Sequence, residues 1–160
     1  MNPYNKTPDD CILAYLAGYC ATPRGRAAFA LTFRRIEDGH EVECARFAIP
    51  AEDTTATERA VAGLLLLLQC VQPDERLPVI IRSDLEYPLK GATVWLPDWK
   101  RRGWKTASKK PVTSLEHWVE IDRRQDALEE LAFSYQWVPA SANDALHHEA
   151  VELARKKVAA

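Results

Sequence analysis

The sequence predicts a single α/β domain with elements in the order β-β-β-α-β-α-α-β-α. A continuous apolar run at residues 12–17 is typical of a strand that is covered on both faces. An alternating segment follows it, and the dipeptide Asp38-Gly39 after that segment is a strong hairpin signal. Later strand patterns are separated by helical patterns, which is the arrangement that α/β proteins show.

Length and composition agree with this fold class. The chain has 160 residues, of which 47% are apolar and 28% charged, and this composition is globular rather than disordered. A chain of this length can bury a core without a metal or disulfide to hold it together. We therefore expect a polar lead-in at residues 1–10 and one domain over residues 11–160.

The first three strands are predicted from their periodicity. Residues 12–17 form the first strand, and residues 27–35 form the second because Phe29, Leu31 and Phe33 alternate with smaller or polar residues. The third strand covers about residues 41–49, and its alternation breaks around Ala45 and Arg46.

The first helix is predicted from a capping signal and an apolar segment. Thr55 and Glu58 have the spacing of a capping box, and residues 64–68 are five consecutive leucines. A helix that is apolar on every side is expected to be buried. The apolar run is too short to cross a bilayer, which needs about 20 residues.

The rest of the chain contains two more strands and three more helices. Pro97 near the start and Gly103 at the end delimit a short helix, and Ser114 is expected to cap the next one. The predicted strands cover residues 78–82 and 134–138, and the predicted helices cover residues 95–102, 114–131, and 143 or 144 to about 158.

The charge distribution is uneven. The net charge of −2 argues against binding a polyanion by bulk electrostatics. Residues 99–111 nevertheless contain six of the chain's 21 Lys and Arg residues and none of its 23 acids. We call this region, at about residues 95–112, the basic protrusion. Its six cations are Lys100, Arg101, Arg102, Lys105, Lys109 and Lys110.

Four widely spaced cysteines form no C-x-x-C pair, so buried reduced thiols are the favoured interpretation. The first residues lack the order of charged, apolar and small residues that defines a signal peptide. These observations predict a cytoplasmic protein with no membrane partner. The cysteines are Cys11, Cys20, Cys44 and Cys70.

Residues 83–112 resemble the most distinctive segment of type 1 ribonuclease H. That family carries a T-D-S-x-Y element followed by W-x-x-x-W-K-x-R-G-W-K-T. The residues that match this pattern without a gap are Tyr87, Trp95, Trp99, Lys100, Arg102, Gly103, Trp104, Lys105 and Thr106. The resemblance extends over about residues 12–159, and it implies a ribonuclease H-like five-stranded mixed sheet whose first three strands are antiparallel.

The resemblance also implies a chemistry, which is two-metal hydrolysis of the RNA strand in an RNA–DNA hybrid. The family uses four acids, and only the third is retained, as Asp84. The other three positions carry Ala17, Ala60 and Val151. The family's mobile histidine falls on Ser141.

One carboxylate cannot hold two divalent cations against water and their mutual repulsion. The neighbouring acids Glu58, Glu149 and Glu152 lie on other faces of their helices. Asp144 can reach the cleft from the loop before the last helix, although nothing in its spacing requires it. We therefore expect a catalytically inactive protein with no cofactor and no metal, or with a metal only at Asp84. A helix cap is the favoured role for Asp84. Mg²⁺ or Mn²⁺ enters only if a rearranged metal site keeps the protein active.

Binding of nucleic acid, with an RNA–DNA hybrid or another duplex as the ligand, is the preferred function. Cations of the protrusion would follow a phosphate backbone while Trp95 or Trp99 lies against the sugars. Such binding is expected to be weak and dependent on salt. The candidate contact residues are Trp95, Trp99, Lys100, Arg101, Arg102, Trp104, Lys105, Lys109, Lys110 and Thr55, the last from the family's phosphate pocket.

Two alternatives remain open at this point. The fold can serve as a protein-interaction or dimerisation domain, with a protein partner or a second copy of the chain, because a fold does not determine a function. The protein can also be an active hybrid-specific endoribonuclease that uses shifted carboxylates.

Overall fold

The computed structural model describes residues 9–21, 26–51, 56–139 and 145–159, so most of the predicted lead-in lies outside it. Its strands are β1 (Cys11–Cys20), β2 (Ala27–Glu37), β3 (His40–Ala51), β4 (Val79–Ser83) and β5 (Phe133–Trp137). They form one sheet of order β3-β2-β1-β4-β5. β1, β2 and β3 are antiparallel, whereas β4 runs parallel to β1 and β5 parallel to β4. The predicted mixed sheet is confirmed.

Helices cover both faces of this sheet. The described helices are α1 (Ala56–Cys70), α2 (Glu86–Lys90), α3 (Leu96–Arg101), α4 (Leu115–Ala127) and α5 (Ala145–Ala159). α5 packs on β1 and β2 from one side, while α1 packs on the same strands from the other side and carries α4 behind it. β1 therefore lies between two layers of helices.

The burial of β1 explains its continuous apolar run. Ala14 and Leu16 belong to the core cluster beneath α1, and Tyr15 and Ala17 belong to the cluster beneath α5. All four residues are completely buried. Because successive side chains of a strand point to opposite faces, only a strand covered twice needs apolar residues at every position.

The predicted hairpin joins β2 to β3. Asp38 and Gly39 both have positive φ, at 52° and 77°, as the tight hairpin turn requires. Phe33 pairs with Ala45 and Arg34 with Glu43, so Cys44 is an extra residue on β3. This β-bulge is the reason why the alternation breaks near Ala45.

The leucine run lies in α1, as predicted, and most of it is core. Leu64, Leu67 and Leu68 are completely buried, while Leu65 and Leu66 are half-buried against the same cluster. Among the described residues, no helix is long and apolar enough to span a membrane.

The helix before the basic protrusion begins earlier than predicted. Helical structure starts at Glu86 and continues through a π-helical segment, Gly91–Trp95, into α3. Pro88 is compatible with this helix because it lies in the first turn, where a missing N–H costs nothing. Pro97 is likewise at the start of α3, directly after the wider π-helical turn.

Two predictions about α4 need correction. Ser114 is at the N-cap position, but its backbone is left-handed (φ 59°) and its side chain makes no capping hydrogen bond. The helix ends at Ala127 rather than near residue 131, because Leu128 leaves the helical conformation and is buried in the core. The predicted start of the last helix, at residue 143 or 144, lies outside the described residues.

Candidate functional site

The carboxyl ends of the three parallel strands meet at one edge of the sheet. Gly18 lies near the end of β1, Asp84 follows β4, and Trp137 ends β5. The Trp137 indole Nε1 donates a hydrogen bond to the Asp84 carbonyl oxygen at 3.1 Å, while 46% of the Trp137 residue remains exposed. Ligands of open α/β sheets commonly bind at such an edge. We refer to it as the carboxyl edge.

Two of the replaced acid positions are joined by packing at this edge. Ala17 is completely buried in an apolar cluster with Tyr15, Ala150 and Ala154, and Val151 packs against the same cluster. A carboxylate at position 17 would be desolvated here among methyl groups and aromatic carbon. The space for the expected acids is therefore filled by contacts between β1 and α5.

The third replaced position, Ala60, lines a small cavity of about 100 Å³. Arg59 is another lining residue of this cavity, and it is only 5% exposed. The lining residues in the described part of the chain are Gly18, Tyr19, Cys20, Phe29, Arg59, Ala60 and Leu85. Among these residues there is one cation and no carboxylate.

Asp84 is not a helix cap, which corrects the favoured prediction. The N-cap residue of α2 is Leu85, and its N–H donates to Ser83 Oγ at 3.0 Å. Asp84 Oδ1 is buried with no hydrogen-bond partner among the described residues, and Oδ2 lies 3.9 Å from His147 Nδ1. Burial raises the pKa of the Asp84 carboxyl, and the nearby His147 opposes that shift.

His147 is a buried histidine that the sequence did not single out. It is 8% exposed, and its Nδ1 lies 3.0 Å from the Tyr15 hydroxyl. The signal for its burial was present, because His147, Ala150, Ala154 and Val158 recur with the spacing of one helix face. The polarity of histidine obscured that pattern.

The described residues of the carboxyl edge do not supply the ligands that a pair of divalent cations needs. Over the four described ranges, no group of three or more His, Cys, Asp or Glu side chains is arranged to hold a metal ion. Mg²⁺ and Mn²⁺ need several converging oxygen ligands, whereas Asp84 offers one carboxylate and Arg59 lines the adjacent cavity with positive charge. No catalytic step through metal ions follows from these residues.

An aromatic cluster supports the basic protrusion. The ring of Trp99 lies 5.2 Å from that of Trp118 and 6.1 Å from that of Trp95, measured between centroids. Trp99 is 9% exposed, so its ring is core rather than a surface for sugars. Trp95 and Trp104 are half-buried and pack on the same core, which leaves part of each ring accessible.

The six cations of the protrusion fall into two groups. Lys100 Nζ lies 3.1 Å from Asp122 Oδ2, and Arg101 pairs with Asp98 one turn earlier on the helix. The Asp122 carboxylate raises the pKa of Lys100. The other four are exposed and form no ion pair with any acid of the described ranges. They are Arg102, Lys105, Lys109 and Lys110.

Backbone hydrogen bonds give the protrusion a defined shape. Gly103 takes the left-handed conformation (φ 66°) that ends α3. The Thr106 N–H donates to the Lys110 carbonyl at 2.8 Å, and the Lys109 N–H donates to the Thr106 carbonyl at 2.9 Å. Lys105, Lys109 and Lys110 are therefore carried on one short closed loop.

Several predicted site residues lie outside the described residues. Thr55, the phosphate-pocket candidate and the first residue of the predicted capping box, is one of them. Ser141, at the position of the family's mobile histidine, is another.

Relatives identified by sequence support the resemblance. Ribonuclease H of Pseudomonas paraeruginosa is 42% identical over 107 residues, which is 67% of this chain and 69% of that protein. Ribonuclease H of Ruegeria pomeroyi is 28% identical over 144 residues, or 90% of each chain.

Solved structures show the same fold. A type 1 RNase H with the type 2 active-site motif has a TM-score of 0.76 at 21% identity, covering 97% of this chain and 75% of that chain. The foamy viral protease-reverse transcriptase in complex with dsDNA has a TM-score of 0.76 at 18% identity, covering 94% and 97%. The RNase H family model matches residues 11–159 of the sequence. The chain therefore belongs to the ribonuclease H family.

Proposed function

We propose that this protein binds nucleic acid, with RNA–DNA hybrid as the preferred duplex, and does not cleave it. The observation that carries the proposal is the packing of Ala17 and Val151 in one apolar cluster at the carboxyl edge. Two of the four carboxylates that two-metal hydrolysis would need are replaced there by core contacts. On α1, Ala60 stands at a third acid position, and its neighbour Arg59 lines the same cavity.

The nucleic-acid part of the proposal rests on the basic protrusion. Exposed Arg102, Lys105, Lys109 and Lys110 can each neutralise a backbone phosphate and release a counterion. Electrostatic contacts of this kind are insensitive to sequence and weaken steeply as salt rises. Binding is therefore expected to be weak at physiological salt.

The choice of hybrid as the ligand rests on relatives. The solved structure of an RNase H1 in complex with RNA/DNA hybrid has a TM-score of 0.62 to this chain at 18% identity, and the match covers 93% of this chain and 99% of that one. A protein that keeps the fold and the protrusion but not the acids can bind a hybrid without cleaving its RNA strand.

A cytoplasmic location belongs to the same proposal. No disulfide joins the four cysteines, all of which are among the described residues. Reduced cysteines are typical of the cytosol.

A second candidate function, as an interaction or dimerisation domain, is favoured by the outer edge of the sheet. β3 pairs only with β2 among the described strands. Val42 and Phe47 on this strand are 60% and 42% exposed. Exposed strand edges are common sites of pairing with another chain. A size-exclusion mass of a dimer, together with no hybrid binding at low salt, would favour this function over the first.

The test is a parallel titration of binding and cleavage. A labelled RNA–DNA hybrid is incubated with the full chain in EDTA, Mg²⁺ or Mn²⁺, with the Pseudomonas paraeruginosa ribonuclease H as the positive control for cleavage. The proposal expects a salt-dependent complex and an intact RNA strand in all three conditions. Metal-dependent cleavage that disappears in Asp84→Asn would instead establish an active enzyme with a rearranged site.

A further inference from the structure

The cavity beside Ala60 lies at the carboxyl edge, and its lining suits an anion. It opens near the end of β1, where Gly18 is exposed and Tyr19 and Cys20 are half-buried. Its inner wall is formed by Phe29 of β2 and by the first turns of α1. By the family resemblance, the positions of two expected acids, 17 and 60, border this region of the carboxyl edge.

Arg59 is the charged residue in the described lining of this cavity. The residue is 5% exposed, so its charge acts in a medium of lower dielectric than water, where electrostatic interactions are stronger. A guanidinium has five N–H donors, so it can hold a partner within the protein and still offer donors to a ligand. Arg59 also lies near the N-terminal end of α1, whose dipole adds positive potential.

The remaining lining reinforces this preference. Among the described residues, no acidic side chain lines the cavity, and the retained family acid, Asp84, has Oδ2 near His147 on α5. A divalent cation would meet an arginine and an alanine here, whereas a phosphate would meet a charged donor. The residue changes have reversed the sign of the charge that the family's site would carry.

We propose that this cavity binds one backbone phosphate of the nucleic acid through Arg59, so that a fixed guanidinium supplies the positive charge that metal ions supply in the family. This inference rests on the proposed function and makes it more specific. It predicts that hybrid binding does not require Mg²⁺ and is retained in EDTA. A guanidinium neutralises a phosphate without activating water, so binding without cleavage follows from the same substitution.

The test compares Arg59→Met and Arg59→Lys with the unchanged protein. Loss of a buried charged contact should weaken hybrid binding about tenfold in Arg59→Met, and Arg59→Lys should recover part of it. Ala60→Glu places an acid beside the guanidinium and should weaken binding by a similar factor. The matched control is Arg76→Met, which removes an exposed arginine from the loop at the opposite edge of the sheet.

A second measurement uses inorganic phosphate alone. Millimolar phosphate should raise the thermal midpoint of the unchanged protein and of Arg76→Met but not of Arg59→Met, while chloride at equal ionic strength should raise none of them. Protection by phosphate without any change in hybrid affinity would overturn the backbone contact and leave a site for free phosphate. Equal behaviour of all variants in both measurements would overturn the site itself.

The two proposals fail separately. If the unchanged protein binds no hybrid, the proposed function fails while the phosphate measurement still reports on the cavity. If it binds hybrid and folded Arg59→Lys and Ala60→Glu bind equally well, only the Arg59 contact is wrong. The Ala60→Glu variant keeps the test valid even where Arg59→Met does not fold.

Discussion

Leu85 and the helices that follow it connect the carboxyl edge to the basic protrusion. Compared with the family pattern, the carboxyl edge differs at three positions, whereas the protrusion retains the pattern. At the carboxyl edge, Ala17, Ala60 and Val151 replace acids, and their side chains now pack or line a cavity. In the protrusion, the tryptophans and three of the six cations, Lys100, Arg102 and Lys105, match the pattern without a gap.

The difference shows that different interactions stabilise the two regions. Acids held close together are stable only when a cation neutralises them, so a site without metal gains stability from apolar replacements. The protrusion has no such conflict, because its aromatic rings are core and its charges are solvated. The predictions below test this contrast, beginning with the largest effect.

Restoring an acid at the carboxyl edge should be strongly destabilising. Ala17→Asp places a carboxylate in a completely buried position among Tyr15, Ala150 and Ala154. The free energy of unfolding at pH 7 should fall by roughly 3 kcal/mol, which urea unfolding can measure. Ala107→Asp, at an exposed position of the protrusion, is the control and should cost little. An Ala17→Asp protein of unchanged stability would show that the edge still accommodates acids.

Reversing charges in the protrusion should abolish most binding without affecting the fold. Lys105, Lys109 and Lys110 are exposed and share one closed loop, so changing all three to Glu should weaken hybrid affinity roughly 50-fold at low salt. The slope of log affinity against log salt should fall by about three. Lys156 and Lys157 of α5 provide the control reversal.

The grouping of the cations makes the same experiment sharper. Lys100 and Arg101 already pair with Asp122 and Asp98, so their reversal should weaken binding less than reversal of two unpaired lysines. An equal loss from both groups would contradict the assignment made from the ion pairs.

A substitution at Gly91 should disrupt the aromatic cluster that supports the protrusion. A Cβ at Gly91 would lie 2.1 Å from Trp118 Cη2, so Gly91→Ala must displace a completely buried ring. We expect a loss of roughly 2 kcal/mol in the free energy of unfolding. Thr93→Ala, in the same π-helical segment, serves as the control for helix propensity. If Gly91→Ala is as stable as the unchanged chain, the Trp118 ring can move aside without lowering the free energy of unfolding.

Removing the last acid of the carboxyl edge should stabilise the protein slightly. Burial raises the pKa of Asp84, so the folded state disfavours its carboxylate. Below the ordinary pKa of 3.8 the carboxyl is protonated in both states and the penalty vanishes; it grows as the pH rises above that value. Asp84→Asn should therefore gain about 1 kcal/mol at pH 7 and almost nothing at pH 3.

Urea unfolding at the two pH values, with exposed Asp74→Asn as the control, measures this gain. A variant that is less stable than the unchanged protein at pH 7 would show that the interaction of Asp84 with His147 outweighs the cost of burial.

Much of the fold was accessible from local patterns. The apolar run of β1, the Asp38-Gly39 turn and the leucines of α1 each predicted an element that the structure contains. The start of helical structure at Glu86 was missed because Pro88 and Gly91 resemble loop residues, although the first turn of a helix tolerates proline. The burial of Gly91 against Trp118 depends on a contact that no local pattern contains.

The candidate site was accessible only in part. The match to the family pattern predicts that three acids are replaced at Ala17, Ala60 and Val151, and this stays a prediction. The interpretation of Trp99 as a surface for sugars was wrong, and the burial of His147 was not anticipated. Trp99 belongs to a motif that also contains accessible rings, and its burial depends on Trp118 of α4. The burial of His147 depends on Tyr15, which lies 132 residues earlier in the chain.

The amino-acid sequence by itself determined the order of elements, the position of the cations and the residue types at positions 17, 60 and 151, because periodicity and residue identity are local properties. Only the tertiary structure decided what surrounds those positions. Val151 packs against the cluster that contains Ala17, Arg59 and Ala60 line one cavity, and Lys100 is paired while Lys105 has no ion pair among the described residues. The physical reason is that burial and ion pairing depend on distances between residues far apart in the chain, and folding alone sets those distances.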